Sequence, residues 1–170
     1  MTVIKKGFSA LNTLTIPVII SVLSILILLS PIFTNLEYRR PGFPEDNYGF
    51  TTAERLEFGN QTRRYLISND TLEDIQQLVF ENGDPIYVGR ELSHLEDVKI
   101  VLQGVFRVFY GAAAFFVLVG LIARMRSWQD IYLEAIFLGG KITAGVVVMI
   151  LLLTLVSFQA LFTNFHLLFF

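Results

Sequence analysis

The sequence contains no cysteine and only two histidines among its 170 residues. Without thiols the chain has no disulfide framework, no cysteine nucleophile and no cysteine-based zinc site, and its redox compartment is undetermined. The motifs G-x-S-x-G, H-E-x-x-H and G-x-G-x-x-G and the P-loop are also missing. The sequence therefore gives no support to serine hydrolase, zinc protease or nucleotide-binding chemistry.

Charge is scarce outside one part of the chain. Thirteen of the 15 acidic residues lie between Asn35 and Lys99, whereas hydrophobic residues make up 54% of the whole sequence. A mean hydropathy of +0.59 is too high for an ordinary soluble domain of this size, so the composition indicates a small integral membrane protein. The acidic stretch, residues 34–99, must lie in water and is called the middle segment below.

Three apolar runs are long enough to cross a bilayer. Leu14–Phe33 is 20 uncharged residues, and a helix rising about 1.5 Å per residue then covers a hydrocarbon core of roughly 30 Å. A cleaved signal peptide is the alternative interpretation of this run. The second run, Ile100–Ala123, is interrupted only by Arg107, and the third, Ile142–Phe162, is uncharged. We predict an all-α integral membrane protein with transmembrane helices at residues 14–33, 100–123 and 142–162.

Basic residues near the ends of these runs predict the orientation. Lys5 and Lys6 precede the first span, and Arg124 and Arg126 follow the second, so a three-span topology puts all four on one side. The positive-inside rule makes that side cytoplasmic. The predicted parts are a cytoplasmic N-terminus (1–13), an outward-facing middle segment, a cytoplasmic interfacial loop (124–141) with a short helix and a break at Gly139 and Gly140, and an outward-facing end (163–170).

Hydroxyl and acidic residues three positions apart predict where helices begin in the middle segment. In a capping box of this spacing each side chain satisfies a free backbone donor. We predict helices at roughly 52–67 and 72–79, and a third helix that begins at Ser93 and continues into the second span. At about 65 residues the segment is a small helical extracytoplasmic cap, not an independent domain. The three pairs are Thr51 with Glu54, Thr71 with Asp74, and Ser93 with Glu96.

The predicted topology places both histidines at the outer face of the membrane. His94 lies where the second span begins, and His166 lies just after the third. If Ser93 is the N-cap, the positive end of the helix dipole should lower the pKa of His94 and favour a neutral imidazole that can act as a general base, although neighbouring acidic residues oppose this. The alternative for each histidine is a snorkelling or hydrogen-bonded residue without a catalytic role. A metal site would need a third strong ligand, and we predict none.

Three stretches resemble the bacterial lipoprotein intramolecular transacylase family of integral membrane proteins. They are "YGFTTAERLEFGNQTRRYL" (residues 48–66), "ELSHLEDVK" (residues 91–99) and "FHLLFF" (residues 165–170). The resemblance implies an enzyme of the bacterial cytoplasmic membrane whose active site faces outward. It moves the sn-2 acyl chain of a diacylglyceryl lipoprotein onto the α-amine of the same N-terminal cysteine. His94 and His166 are then the catalytic pair, and the partners are lipoproteins and membrane lipids, with no cofactor and no nucleic acid.

Further polar residues are candidates for supporting roles in such a reaction. Asp97, three residues after His94, could orient the imidazole. Arg55, Arg90 and Arg107 could polarise an ester carbonyl or contact lipid phosphate. Arg107 lies within a membrane span, where an ionisable side chain is costly, and its alternative role is snorkelling toward headgroups. For the other three, the alternative is a structural ion pair.

The sequence differs from the family pattern in one respect. The family pattern continues into a fourth span, whereas this sequence stops at Phe170, so a fourth helix is expected by resemblance but absent from the chain, and we favour an incomplete chain. The alternative function is a non-catalytic structural subunit of a larger membrane complex. The histidine pair distinguishes the two hypotheses, because only the enzyme requires both imidazoles to act on one substrate.

Overall fold

The computed structural model describes residues 3–80 and 82–169. Within these residues the chain is helical and has no β-strand, only an isolated bridge between Val79 and Pro85. Three of the helices, α1, α5 and α6, are long and apolar enough to cross a membrane, which confirms the predicted all-α membrane fold. In chain order the helices are α1 (Val3–Leu28), α2 (Pro31–Tyr38), α3 (Thr52–Ile67), α4 (Leu72–Gln76), α5 (Gly89–Met125) and α6 (Gln129–Phe169).

Two units make up the chain. The membrane unit consists of Met1–Leu23 and Val105–Phe170, and the polar unit consists of Ser24–Gly104. The first contains most of α1, the second half of α5 and all of α6. The second contains α2, α3, α4 and the first half of α5.

The first apolar run does not form a single helix. Helix α1 begins at Val3 and ends at Leu28, and Ser30 then starts α2 by accepting a hydrogen bond from the backbone N–H of Phe33 at 3.1 Å. Pro31 occupies the first helical position, where its missing N–H costs nothing. The predicted span at residues 14–33 therefore covers parts of two helices, because a serine cap followed by proline restarts the chain inside an apolar run.

The expected break at Gly139 and Gly140 is wrong. Helix α6 runs through both glycines from Gln129, and only Arg126, Ser127 and Trp128 separate it from α5. Ser127 has a left-handed φ of 55°, which turns the chain there. The predicted loop at residues 124–141 is thus mostly the first part of a membrane helix.

Gly139 allows α1 and α6 to pack closely against each other. A Cβ atom at this position would lie 2.6 Å from Cβ of Ile16 and 2.7 Å from the carbonyl oxygen of Thr13, which is too close for any side chain. Thr143, one turn later, is buried and donates its hydroxyl to the Gly139 carbonyl at 2.9 Å. Small residues at a helix contact allow backbones to approach within a membrane. Gly139 therefore fixes the distance between α1 and α6.

The polar unit has its own core. Tyr65 of α3, Ile75 of α4 and Leu92 of α5 are buried together, and partly buried apolar side chains pack around them. Lys99 of α5 closes this core, since its ammonium lies 4.1 Å from the centroid of the Tyr65 ring and donates to the backbone carbonyl of Asp70. The surrounding side chains are Leu66, Leu72, Leu78, Tyr87 and Leu95.

Two of the three predicted capping boxes are confirmed. Glu54 accepts from the backbone N–H of Thr51 at 2.7 Å, and α3 spans the predicted residues 52–67. Asp74 accepts from the backbone N–H of Thr71 at 2.6 Å, although α4 ends at Gln76, earlier than predicted. These bonds hold the pKa of each carboxyl below its usual value, mainly through the Thr51 hydroxyl for Glu54 and the Thr71 backbone for Asp74.

The third predicted cap, at Ser93, is wrong. Helix α5 begins at Gly89, and Glu91 accepts a hydrogen bond from the backbone N–H of Val88 at 2.9 Å, which is the acidic half of a capping box. Ser93 lies inside the helix and donates its hydroxyl to the Arg90 carbonyl at 3.0 Å. Both Glu91 and Glu96 have the spacing of a capping box in this stretch. The structure contains the pair of Val88 with Glu91, whose two residues lie on either side of Gly89.

Asp46 organises the loop between α2 and α3. One of its carboxylate oxygens accepts from the backbone N–H groups of Tyr48 at 2.7 Å and Phe50 at 2.9 Å. The Phe50 bond is the largest of the effects that lower the pKa of Asp46 from its usual 3.8, and the neighbouring Arg55 adds to it. Phe50 in turn packs against the rings of Phe58 and Phe80, at centroid distances of 5.9 and 5.5 Å. The carboxylate thus ties the loop to an aromatic cluster.

Acidification below pH 3.8 is expected to destabilise the polar unit through Asp46. A carboxyl whose pKa is lowered on folding contributes stability above its unfolded pKa, and this stability is lost as the pH falls through the folded value. The melting temperature is measured by circular dichroism at pH 6 and at pH 3. It should fall less between these two pH values for Asp46→Asn than for the wild type. An equal loss in both proteins would mean that Asp46 does not contribute.

Candidate active site

His94 lies on the exposed face of the first part of α5. Leu92, Leu95 and Lys99 hold the opposite face against the core of the polar unit. At about 3.6 residues per turn, Arg90, His94 and Asp97 follow one another along the other side of the helix. All three are exposed. The buried face therefore fixes the direction in which this polar stripe points.

The helix dipole does not act on His94 as expected from the sequence. Because α5 begins at Gly89, the imidazole is beyond the first turn, and the effect of the dipole falls off within that turn. The predicted effect of the dipole depended on Ser93 as the N-cap, and Ser93 lies inside the helix. The groups beside His94 on its own helix face are Arg90 and Asp97.

His166 lies near the end of α6 on a short helical segment of its own. Ser157 has non-helical backbone angles, φ −163° and ψ 92°, and its hydroxyl oxygen accepts from the backbone N–H of Ala160 at 3.2 Å. That bond is the N-cap of a new helix, so α6 consists of two helical segments joined at Ser157. The predicted third span, residues 142–162, contains this kink.

An aromatic side chain holds the His166 imidazole in place. The Phe162 ring, one turn earlier, lies 4.5 Å from the imidazole centroid at an interplanar angle of 37°. Phe158 stacks on Phe162 in the same way at 5.7 Å, which makes a ladder along one side of the segment. His166 is half-buried, unlike the exposed His94. Both the cap and the ladder position this histidine.

Arg55 makes structural contacts, which include the kind of ion pair given above as the alternative to a site role. Its guanidinium stacks 4.7 Å from the Phe43 ring centroid and donates to the Pro44 carbonyl at 2.8 Å, and its Nε lies 4.0 Å from a carboxylate oxygen of Asp46. The side chain is half-buried in these contacts. Arg55 thus ties the loop before α3 to that helix.

Arg107 differs from Arg55 in its surroundings. It lies in the middle of α5, is exposed, and makes no hydrogen bond or ion pair with any residue in the ranges 3–80 and 82–169. A guanidinium in a helix that could span a membrane requires water, a headgroup or a substrate group as its partner. Of the predicted arginines, Arg107 therefore retains the strongest case for contacting a lipid.

Sequence reasoning missed two residues with positioning roles in the fold. Ser157 falls inside the predicted third span, although a hydroxyl inside an apolar run can serve as an N-cap. Arg63 is not among the residues predicted above, and its Nη1 donates to the Leu29 carbonyl at 3.4 Å, one of the free carbonyls at the end of α1. Arg63 thus joins α3 to the end of α1.

A cavity of about 240 Å³ lies within the polar unit but contains none of the predicted site residues. It is bordered by the Arg64–Asp70 ion pair, 3.2 Å between Nε and Oδ2, and by the Tyr65 ring. In the described ranges, no three histidine, aspartate or glutamate side chains are grouped so that they could hold a metal ion.

Comparison with known proteins identifies a family and a relative. A family model described as "Lipoprotein intramolecular transacylase Lit" matches residues 10–170, nearly the whole chain. A protein of Aquifex aeolicus (strain VF5), described only as an uncharacterized protein, is 28% identical over 167 residues, which cover 95% of this chain and 72% of that protein. No solved structure matches the chain.

Proposed function

Because the chain belongs to the lipoprotein intramolecular transacylase family, we propose that it transfers the sn-2 acyl chain of a lipoprotein's diacylglyceryl group to the α-amine of the same N-terminal cysteine. The product is a lyso-form lipoprotein with an N-acyl group and a monoacylglyceryl group. The family match over residues 10–170 carries this proposal. The three long apolar helices suit a substrate whose acyl chains lie in a bilayer.

The reaction needs no nucleophile from the protein. The α-amine attacks the carbonyl carbon of the ester, a C–N bond forms, and the C–O bond to the sn-2 oxygen of glycerol breaks. One group removes a proton from the attacking nitrogen, and another gives a proton to the departing oxygen, so the proton balance closes. Histidine can serve in either role near neutral pH. This agrees with a chain that lacks cysteine and a serine hydrolase motif.

We assign these two proton transfers to His94 and His166, the only histidines in the sequence. His94 has Arg90 and Asp97 on its own helix face, and Asp97 is well spaced to orient the imidazole. His166 is held by Phe162 and by the segment that Ser157 caps. Under the predicted orientation both act at the outer membrane surface, with the middle segment as a cap that receives the peptide part of the substrate.

The arginines have distinct proposed roles. Arg107 is the candidate for contacting the lipid part of the substrate, either its ester carbonyl or the phosphate of a neighbouring lipid. Arg90 is the candidate for the oxyanion near His94, since both lie on one helix face. The contacts of Arg55 favour a structural role. Substitution of Arg55 should therefore lower stability and activity together.

An isotope experiment tests the proposed transfer directly. The purified protein is incubated with a synthetic diacylglyceryl lipopeptide whose sn-2 acyl chain carries ¹³C. Substrate and product have the same mass, so they are distinguished by tandem mass spectrometry. The proposal requires the label to appear on the cysteine nitrogen. A mixture of labelled and unlabelled peptides of different sequence must show no exchange of label between peptides, and exchange would contradict an intramolecular reaction.

Loss of the Ser157 cap is expected to lower activity through His166. Ser157→Ala removes the acceptor for the Ala160 N–H, and loss of an N-cap costs about 1 kcal/mol, or roughly a fivefold fall in the ordered population. Ser157→Asn can restore the cap and should recover most of the activity. The measurement is the initial rate of acyl transfer for each variant. Equal impairment by alanine and asparagine would show that the capping bond is not responsible.

A further inference from the structure

A groove that is separate from both histidines lies at the end of the membrane unit where α1 begins. Its volume is about 420 Å³. It is formed by one side of α1 and a single residue of α6, and we call it the terminal groove. The lining residues are Lys6, Ser9, Ala10, Thr13 and Leu14 of α1, and Leu138 of α6.

Aromatic residues mark this end as a membrane interface. The ammonium of Lys5 lies 5.2 Å from the ring centroid of Trp128, and Phe8 meets the same ring edge-on at 5.6 Å. Tryptophan is enriched at headgroup level, where its ring is partly in lipid and partly in water. Trp128 is the only tryptophan of the sequence, and it lies in the turn between α5 and α6. Lys6, beside Lys5, therefore lies close to the headgroups.

The chemistry of the terminal groove changes with depth. Ser9 is about 4.5 Å further along the axis of α1 than Lys6, and Leu14 is about 12 Å further. The order from the interface inward is an ammonium, a hydroxyl and then leucine side chains. Thr13 is 5% exposed, and its hydroxyl has no hydrogen-bond partner among residues 3–80 and 82–169. A phospholipid has the same order of phosphate, ester oxygens and acyl chain.

We propose that the terminal groove binds one anionic glycerophospholipid of the cytoplasmic leaflet. The phosphate pairs with the Lys6 ammonium, an ester oxygen accepts from the Ser9 hydroxyl, and one acyl chain lies against Leu14 and Leu138. The leaflet follows from the orientation that the basic residues predict. An anionic lipid is favoured over a zwitterionic one, because Lys6 at the mouth of the groove is cationic and none of the other lining residues is acidic.

Native mass spectrometry of the purified full chain with phosphatidylglycerol or phosphatidylcholine tests this proposal. The wild type is expected to bind one phosphatidylglycerol more tightly than phosphatidylcholine. Lys6→Gln should weaken phosphatidylglycerol binding about fivefold, the effect of one cationic side chain near a lipid surface, and should weaken phosphatidylcholine less, because its choline offsets the charge of the phosphate. Ala10→Phe should fill the groove and weaken both lipids.

Lys141→Gln is the matched control. Lys141 is an exposed lysine of α6 whose ammonium contacts the Phe137 ring at 4.3 Å, and it does not line the groove. Its substitution removes the same charge and should leave lipid binding unchanged. Equal weakening by Lys6→Gln and Lys141→Gln would overturn the proposal in favour of diffuse attraction to net charge. Unchanged binding in Ala10→Phe, with an unchanged melting temperature, would also overturn it. Neither outcome depends on acyl transfer, so the proposed function is tested separately.

Discussion

Replacement of His94 or His166 by alanine is expected to slow acyl transfer by about 100-fold or more in each single variant. General acid or base catalysis by one positioned side chain contributes roughly 10²- to 10⁴-fold, and the chain has no third histidine to substitute for either. The double variant should be little slower than the single variants, because groups that act as a unit are not additive. The measurement is the initial rate with the labelled lipopeptide.

Neighbouring residues provide matched controls for both histidines. Ser93 is exposed beside His94, and Asn164 is exposed two residues before His166. Ser93→Ala and Asn164→Ala remove side-chain hydrogen bonds to the helix backbone of 3.0 and 2.8 Å but no proposed catalytic group. Both should retain activity within a few-fold of the wild type. A comparable loss in these controls would assign the histidine effects to folding, not to catalysis.

The leaving group can separate the roles of the two histidines. A substrate analogue with a more acidic sn-2 alcohol has less need of a general acid, since its oxygen departs more easily without a proton. The variant that lacks the acid should therefore recover more activity with this analogue than the variant that lacks the base. Equal recovery in both variants would contradict separate acid and base roles.

Gly139→Ala is expected to have the second-largest effect, this time on stability. Its new methyl group would lie 2.6 Å from Cβ of Ile16 and 2.7 Å from a backbone oxygen, so α1 and α6 must move apart. Overpacking of this kind typically costs about 1–3 kcal/mol. The melting temperature of the purified protein in detergent should therefore fall.

Gly140→Ala is the control for this effect. A Cβ atom at Gly140 has no atom within 4 Å, although the residue is adjacent in the same helix. Alanine is a better helix former than glycine by roughly 1 kcal/mol, so this variant should be as stable as the wild type or more stable. An equal loss of stability in both variants would contradict the close packing of α1 against α6 at Gly139.

Local signals in the sequence predicted the polar unit well. The capping boxes at Thr51 and Thr71 gave two helix starts correctly, because the hydrogen bonds involved join residues only three positions apart. Ser93 failed because Glu91 offers a competing acid that pairs with Val88. A pattern of spacing alone cannot choose between two overlapping caps.

Features that depend on distant residues were harder to predict. Gly139 reads as a helix breaker in the sequence, but its role is set by Ile16 and Thr13 on another helix. The sequence leaves Arg55 open between a site residue and a structural ion pair, and its contacts with Phe43 and Pro44, which favour the structural role, are visible only in the fold. Composition and hydropathy were sufficient for the three membrane helices, since length and apolarity are properties of each run itself.

The two histidines stand out because the sequence contains no others and because both lie in stretches that resemble the family. The spacing of a known catalytic motif does not mark either of them. Neither His94 nor His166 lies in a short motif with chemistry of its own, and the family match is what connects the two stretches. The spacing in the sequence placed Asp97 on the same helix face as His94. It did not place Arg90 there, because that required the true start of α5 at Gly89, and the exposure of this face follows from the burial of Leu92 on the opposite one.

The most direct test of the proposed function is tandem mass spectrometry of a lipoprotein's N-terminal lipopeptide from bacterial cells that lack their own N-acylation. The cells express the wild type, His94→Ala or His166→Ala. We predict an N-acyl, monoacylglyceryl cysteine with the wild type and a diacylglyceryl cysteine with a free amine in both variants. A free amine in all three strains, with the full-length protein inserted in the membrane, would contradict the transacylase and favour a structural subunit.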